Sequence, residues 1–358
     1  MKRIILCADG TWNVRDQIDK DTGKRRPTNV TKVARAILPE APDGTPQVVY
    51  YHDGIGTGGP LDQVTGGAFG HGIEENIRSL YRFIVYNYQP GDQLYFFGFS
   101  RGAFTVRSLA GFINKVGLIE KDDDYYVPDI YAWYESSEGE GSAKWKKAFH
   151  NVRDRRPAPE ILFIGVWDTV GALGAPGLLG QLFNKNKYKY HDIGLHPNIK
   201  NAVQALAIDE RRKPFLPSIW MRSADWQGQL SQAWFPGVHS NVGGGYAPDG
   251  LANEALHWMV EKVTALGLEV DDTYLSYFKP CFNSVLHDSM KPAYRVMGPV
   301  EREMGANPGH GEAIHQSALD RRNDSPSAYD PANLRKWEAR SQQPPVVNTS
   351  RIPRGTPC

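Results

Sequence analysis

The chain has 358 residues, of which 41% are hydrophobic and 23% are charged. That composition is typical of a soluble globular protein that buries a large core. Lys and Arg number 41 against 40 Asp and Glu, so the formal net charge is only +1. Such a balance creates no strong field of either sign, and we therefore expect no nucleic-acid partner.

No stretch of the sequence resembles a membrane span or a secretion signal. A span needs about 18–20 uncharged apolar residues, and the longest candidate, 169–183, is interrupted by glycines and a proline. The apolar run at 4–8 is too short for a signal peptide. We therefore expect a chain without a transmembrane segment that is cytoplasmic as synthesised, with export without a signal peptide left open.

Short apolar runs that end in small or polar residues predict strands, and apolar residues at helical spacing predict helices. The predicted strands, in chain order, cover 3–8, 47–51, 93–97, 161–167, 218–221 and 233–238. The predicted helices cover 73–88, 101–116 and 251–266. Strands that are apolar on both faces and alternate with helices predict an α/β fold, with a doubly wound, mostly parallel sheet and helices on both faces.

The domain prediction is one α/β unit over residues 1–340 with loop and helical insertions. Residues 120–159 mix acidic, aromatic and basic side chains, which indicates a small helical insertion there. Residues from about 304 onward look irregular, and 341–358, with four prolines, predict an extended C-terminal tail. The charge run at 209–213 predicts a solvent-exposed helix end.

The pentapeptide Gly98-Phe99-Ser100-Arg101-Gly102 matches the pattern G-x-S-x-G between a predicted strand and a predicted helix. In that context the serine sits on a sharp turn that lifts its side chain above the sheet. Ser100 is therefore the candidate nucleophile. The backbone N–H of Arg101, at the helix N-terminus, is a candidate oxyanion donor. A chance match in a chain with 36 glycines is the alternative interpretation.

A serine nucleophile needs a base and an acid that orients the base. In this class of fold the chain order is Ser, then Asp or Glu, then His. Asp168 follows the apolar run 161–167, where burying a carboxylate costs free energy unless the group has a catalytic role or a partner. The alternative interpretation is a residue that caps a turn or a helix. His239 lies between an apolar strand and a glycine loop, and His287 and His315 are alternative bases.

Three sequence blocks resemble the signature blocks of one family: GFSRGAFTVRSLAGFINKVG at 98–117, GVWDTVGALG at 165–174 and WFPGVHSNVGGGY at 234–246. DGT at 9–11 and YHDGIGTG at 51–58 resemble its early blocks. The family is the α/β-hydrolase domain family, formerly of unknown function, that includes the first class of type VI secretion phospholipase effectors. The resemblance spans most of residues 1–320. It implies a triad of Ser100, Asp168 and His239 and the hydrolysis of lipid acyl esters.

The remaining site residues are predicted from their positions. A second oxyanion donor is expected in the loop after the first strand, at Gly10 or Thr11, by analogy with the loop used in this fold. The apolar segment 172–183 is expected to form an acyl-chain wall or a lid, or else to pack in the core. The residues expected to contact substrate are Trp12, Phe99, Leu178 and Leu179.

Two other functions fit parts of the pattern. A metal-dependent hydrolase resembling a phosphatase or phosphodiesterase would use side chains at strand ends, namely Asp9, His52, Asp53, Asp168 and His239. A non-catalytic binding module would keep the fold without the chemistry. The serine hydrolase hypothesis needs no cofactor and no metal. Its expected partner is an acyl-ester or lipid substrate, with contact at a membrane surface left open.

Overall fold

The computed structural model describes residues 1–11, 13–18, 23–54, 66–136, 138–171, 194–324, 328–340 and 344–350, with the backbone alone at 66–71, 293 and 308. The strands are β1 (Arg3–Ala8), β2 (Gln47–His52), β3 (Gln93–Phe99), β4 (Leu118–Ile119), β5 (Arg155–Arg156), β6 (Ile161–Trp167), β7 (Asn201–Ala207), β8 (Gln229–Phe235), β9 (Glu312–His315) and β10 (Val346–Val347). Eight of these form one sheet in the order β10-β9-β8-β7-β6-β3-β1-β2, and β4 pairs separately with β5. Every strand pairing in the large sheet is parallel.

The helices occupy the connections between the strands. They are α1 (Asn29–Ala36), α2 (Gly66–Asn87), α3 (Arg101–Val116), α4 (Val127–Glu135), α5 (Ala143–Phe149), α6 (His239–Gly243), α7 (Gly250–Thr264), α8 (Asp272–Leu275), α9 (Pro292–Arg295), α10 (Gln316–Asp324) and α11 (Ala332–Arg340). Parallel strands need crossover connections of this kind, which are usually helices. The parallel sheet with helices between its strands confirms the predicted α/β fold. No helix in the described ranges is long and apolar enough to cross a membrane.

Two apolar layers cover the two faces of the sheet. Alternate residues of β1 point to opposite faces, so Ile4 and Leu6 join one layer while Ile5 and Cys7 join the other. Helices α2, α3 and α4 pack in the first layer, and α1 and α7 pack in the second. All six residues of β1 are buried. A strand covered on both faces in this way explains its continuous apolar sequence.

One predicted strand is wrong, and five strands were not predicted, namely β4, β5, β7, β9 and β10. Residues 218–221 contain no strand, because the Gln232 side chain bonds the backbone N–H and carbonyl of Trp220, each at 2.9 Å, in place of a neighbouring strand. The strand beside β6 is β7 (Asn201–Ala207), whose sequence NAVQALA is rich in alanine and poor in β-branched residues. Its buried Gln204 bonds the Gln232 side chain at 2.9 Å.

The segments predicted as irregular contain helices and strands. The insertion at 120–159 contains a 3₁₀ helix (Lys121–Tyr126), α4 and α5, as expected for a helical excursion. Beyond residue 304, however, β9 and β10 extend the sheet and α10 and α11 follow β9. Within the predicted tail, Val346–Val347 pairs in parallel with Ile314 and His315. Residues 341–343 and 351–358 of that tail lie outside the described residues.

Candidate active site

The candidate nucleophile Ser100 lies between the end of β3 and the start of α3. Its backbone has φ 58° and ψ −120°, in a region that residues with a side chain rarely adopt. The Ser100 N–H donates to the Trp167 carbonyl at 3.0 Å, which ties the turn to the end of β6. Ser100 is only 3% exposed. The strained turn predicted from G-x-S-x-G is present, and it carries the serine at the carboxyl edge of the sheet.

The two glycines of the pentapeptide allow the close approach that this turn needs. A Cβ on Gly98 would lie 2.6 Å from the Cα of Ala103, and one on Gly102 would lie 2.1 Å from the carbonyl oxygen of Ala8. Side chains at either position would therefore push α3 away from β3 and β1. The local sequence thus determines where Ser100 is held.

Asp168 and His239, the predicted acid and base, are in direct contact. Asp168 follows β6 with a left-handed backbone, φ 43°, and is fully buried. His239 is the first residue of α6, just after β8, and is 4% exposed. The Nδ1 atom of His239 lies 2.5 Å from Oδ2 of Asp168. The structure therefore brings together the ends of β6 and β8 in the pairing expected of an orienting acid and its base.

Arg302, which sequence analysis did not identify, binds the same carboxylate. Its Nη1 donates to Oδ1 of Asp168 at 2.6 Å and its Nη2 donates to Oδ2 at 2.9 Å. The Ala207 N–H adds a third bond to Oδ1 at 3.0 Å. Both charged side chains are fully buried. Arg302 belongs to no motif that could have indicated it, since only the tertiary fold brings residue 302 to the end of β6.

A second charged pair flanks the backbone of His239. Glu210 accepts the His239 N–H through Oε2 at 3.2 Å and binds Arg212 Nε and Nη2 at 2.9 and 2.8 Å. The Arg212 guanidinium lies 3.4 Å from the ring centre of Phe215, and that ring meets the His239 ring edge-on with centroids 5.0 Å apart. Glu210 is 1% exposed, whereas Arg211 and Lys213 are exposed, so the expectation of a solvent-exposed charge run at 209–213 holds only in part.

The surroundings set the protonation of the acid–base pair. Burial alone raises the pKa of Asp168, but the Arg302 charge and hydrogen bonds from His239 and Arg302 outweigh it and hold that pKa well below its usual range. Burial lowers the pKa of His239 below its ordinary value of 6.5, against the opposing effect of Asp168. At neutral pH the pair is therefore a carboxylate beside a neutral imidazole. Because Nδ1 faces Asp168, the other ring nitrogen, Nε2, is the one able to accept a proton.

Phe99 links the serine to the histidine. The Phe99 ring packs on the His239 ring with centroids 4.6 Å apart, and Ser100 is the next residue in the chain. Phe99 thus contacts the candidate base. Among the hydrogen bonds of the described residues, none joins Ser100 Oγ to His239. Catalytic hydrogen bonds often tighten only when substrate binds, so the missing bond does not argue against the pair.

The loop after β1 lies against Ser100. A Cβ on Gly10 would lie 3.1 Å from Ser100 Cβ and 2.8 Å from Asn13 Nδ2, so the Asn13 amide and the serine both lie against Gly10. The Gly10 N–H already donates to Oδ1 of Asp9 at 2.7 Å. Oγ1 of Thr11 is buried without a hydrogen-bond partner in the described part of the chain. Sequence reasoning missed Asn13, although it lies only two positions after the DGT block.

Asp9 supports this loop from within the core. Its Oδ2 accepts hydrogen bonds from the hydroxyls of Thr28 at 2.5 Å and Tyr51 at 2.6 Å. Burial raises the pKa of Asp9, although these hydrogen bonds act in the opposite direction. Asp9 is therefore engaged in holding the loop rather than facing a ligand. The predicted contact residues Trp12, Leu178 and Leu179, and the whole segment 172–183, lie outside the described residues.

The alternative bases and the alternative metal site find no support in this geometry. His287 stacks on Tyr246, and His315 bonds the hydroxyls of Ser317 and Thr349, with its pKa lowered to about 3 by burial. Asp168 directs its oxygens at Arg302, His239 and Ala207 rather than at other acids. In the ranges that the structure describes, no three His, Cys, Asp or Glu side chains gather into a group that could hold a metal ion.

Comparisons with known proteins add a family context to this geometry. A family model described as "T6SS, Phospholipase effector Tle1-like, catalytic domain" matches residues 2–262. The uncharacterized protein YEL023C of Saccharomyces cerevisiae is 30% identical over 236 residues, which cover 60% of this chain and 32% of the yeast protein. The chain therefore spans about a third of the length of that relative.

Two solved structures are similar to parts of the chain. A crystal structure of an uncharacterized protein from Pseudomonas aeruginosa is 16% identical, with a TM-score of 0.47, and the match covers 78% of this chain and 49% of that one. The structure of the Tle1 effector bound to the VgrG spike of the type 6 secretion system is 22% identical, with a TM-score of 0.37. That match covers 68% of this chain and 51% of the effector.

Proposed function

Because the chain belongs to the family of Tle1-like catalytic domains of type VI secretion phospholipase effectors, we propose that it hydrolyses acyl esters of lipids through Ser100. One observation carries the proposal. The 2.5 Å contact between His239 Nδ1 and Asp168 Oδ2 forms at the sheet edge where the strained turn holds Ser100. A buried carboxylate that orients a neutral imidazole beside a strained serine is the arrangement that activates a serine nucleophile.

The proposed reaction uses these groups in two half-reactions. His239 Nε2 takes the Ser100 proton as Oγ attacks the ester carbonyl, and Asp168 stabilises the imidazolium that results. The imidazolium then protonates the leaving alcohol, which departs as the acyl-enzyme forms. Water attacks the acyl-enzyme with His239 again as base, the proton returns to Ser100, and the fatty acid is released.

The developing oxyanion needs preorganised donors close to Ser100. The Arg101 N–H begins α3 directly after the serine, which supports its role as one donor. For the second donor, the bond between Gly10 N–H and Asp9 favours Thr11 over Gly10. The Asn13 amide is a further donor in this proposal. Its Nδ2 and the Cβ of Ser100 both lie close to the position that a Cβ on Gly10 would occupy.

The test is covalent labelling combined with lipid hydrolysis. The wild-type chain is treated with a fluorophosphonate probe and assayed on phospholipid mixed micelles by fatty-acid release. We expect labelling at Ser100 and hydrolysis, both abolished in Ser100→Ala. Ser108→Ala, at a fully buried serine of the same helix, is the matched control and should retain both.

Each contrary result separates the alternatives. Hydrolysis that persists in Ser100→Ala and is abolished by a chelator would favour a metal-dependent hydrolase. Absence of both labelling and hydrolysis in folded wild-type protein would favour a binding module. Labelling at Ser100 with hydrolysis of short soluble esters alone would keep the serine mechanism and exclude the lipid substrate.

A further inference from the structure

Arg302 connects the candidate site to a part of the chain beyond the family match. The family model ends at residue 262, and Arg302 lies in a stretch without regular structure at 301–304. Its side chain is nevertheless fully buried and reaches the carboxylate of Asp168. The acid of the proposed triad therefore depends on a residue that the matched region does not contain.

The bonds of Arg302 hold three parts of the site in one geometry. Besides the two bonds to Asp168, Nη1 donates to the Ala207 carbonyl at 2.8 Å and Nη2 donates to the Phe215 carbonyl at 2.5 Å. Ala207 ends β7, and the Phe215 ring packs on His239. A planar guanidinium with fixed donor directions can impose this arrangement, whereas a lysine ammonium lacks the two-pronged geometry.

The bonds to Asp168 also restrict how its carboxylate can rotate. Oδ1 accepts from Arg302 Nη1 and the Ala207 N–H, while Oδ2 accepts from Arg302 Nη2 and faces His239 Nδ1. With both oxygens engaged, the carboxylate presents Oδ2 to the imidazole in one orientation. An acid that fixes the imidazole in this way determines which ring nitrogen is left to accept the serine proton.

Arg302 also changes the charge that His239 experiences. The charged groups that face His239 are Asp168 after β6 and Glu210 with Arg212 after β7, while Arg302 acts on His239 through Asp168. Each carboxylate has its own guanidinium, Arg302 for Asp168 and Arg212 for Glu210. With a neutral imidazole the two carboxylates and two guanidinium groups sum to zero charge. Loss of Arg302 would leave one uncompensated negative charge on Asp168, next to His239, and that charge would favour the imidazolium.

We propose that Arg302 is a positioning residue of the hydrolase, which holds Asp168 in the orientation that His239 requires and balances its charge. The proposal rests on the serine mechanism proposed above. It extends the working site to residues beyond 262.

The experiment compares Arg302→Gln and Arg302→Lys with the wild-type chain, through kcat, KM and the pH profile of kcat/KM on a soluble ester. We expect Arg302→Gln to lower kcat by about 10- to 100-fold with less than about a threefold change in KM. Its acid limb should move to higher pH, because the uncompensated Asp168 charge favours the protonated imidazole. Arg302→Lys should lower kcat but leave the acid limb near that of the wild type, since the positive charge remains.

Arg321→Gln is the matched control for loss of a buried arginine. Arg321 is 5% exposed and donates to the carbonyls of Phe282 and Ser284, away from Asp168. We expect it to lower the melting temperature without moving the acid limb. The proposal would be overturned if Arg302→Gln also lowered the melting temperature without moving the acid limb. If Arg302→Gln does not fold, Arg302→Lys provides the test. A folded Arg302→Lys variant with the kcat of the wild type would then overturn the proposal.

The outcomes also distinguish this inference from the proposed function. If the serine mechanism fails, the wild-type chain itself takes up no fluorophosphonate probe at Ser100. If only the positioning role fails, the wild type is labelled at Ser100 and folded Arg302→Lys is labelled at the same rate.

Discussion

His239 Nδ1 lies 2.5 Å from Oδ2 of Asp168, although 71 positions separate the two residues in the chain. The contact forms because β6 and β8 flank β7 in a parallel sheet, so that the carboxyl ends of both strands reach the same edge. Each residue is nearly or completely buried, and each has further bonds that fix its position. The pair is thus held by bonds to other elements of the fold as well as by its own contact.

We predict that Asp168→Asn lowers kcat by roughly 10³- to 10⁴-fold, because an amide cannot hold the imidazole tautomer or stabilise the imidazolium. The variant also leaves the buried Arg302 charge without its partner, which should cost about 3–5 kcal/mol of unfolding free energy. Ester hydrolysis and urea denaturation measure the two effects. Asp209→Asn, at a carboxylate that bonds Gly237 and Tyr329 instead, should keep kcat within about threefold.

The pH dependence of the wild-type chain follows from the lowered pKa of His239. The base acts in its neutral form, so kcat/KM should rise with pH as the imidazole loses its proton. Since burial lowers that pKa below 6.5, the midpoint of the acid limb should lie below pH 6.5 and activity should be flat through neutrality. Asp168, with its pKa held lower still, stays ionised throughout. A midpoint at or above pH 7 would contradict this assignment.

The oxyanion proposal predicts a defect in the Asn13→Ala variant. Loss of one oxyanion donor typically lowers kcat by about 10²- to 10³-fold while substrate binding changes little. Steady-state kinetics on a soluble ester would measure both quantities. Asn87→Ala removes an amide that donates to Phe83 on α2, outside the site, and serves as control. Equal kcat in Asn13→Ala and the wild type would exclude the Asn13 amide and leave Thr11 as the second donor.

A prediction about stability concerns Glu254 on α7. Burial, with a smaller effect from the Asp320 charge, raises the pKa of Glu254 from 4.5 to about 7. The folded chain therefore binds this proton more tightly than the unfolded chain. The stabilisation is complete below about pH 4.5 and is lost as the pH rises through about 7.

Glu254→Gln should remove that loss. Relative to the wild type, the variant should gain about 1–3 kcal/mol of unfolding free energy between pH 5 and pH 8. Denaturant titrations at the two pH values would measure the gain. Glu75→Gln, at an exposed glutamate of α2, is the control and should show no such pH-dependent difference. An equal pH dependence in Glu254→Gln and the wild type would show that the Glu254 carboxyl is not perturbed.

Much of the fold, and the placement of the candidate residues Ser100, Asp168 and His239 at strand ends, could be read from local sequence. The strand β6 and the helix α3 have the bounds that their sequence patterns predict, because β6 is a continuous apolar run, α3 has apolar residues at helical spacing, and both have clear end signals. The turn at Ser100 follows from Gly98 and Gly102, whose missing side chains alone permit the close approach of helix and strands. Such features depend on neighbours in the chain, which a sequence displays directly.

What the sequence did not reveal depends on contacts between distant segments. Strand β7 is held by its neighbours β6 and β8 rather than by strong β propensity, so its alanine-rich sequence carried little signal. Arg302 and Glu210 reach the site through long-range packing, and their charges become significant only once burial removes the screening of water. Local sequence determined the serine turn and the strand ends that carry Asp168 and His239. The tertiary structure alone decided which buried charges surround them, because no local pattern encodes which distant residues meet in the folded core.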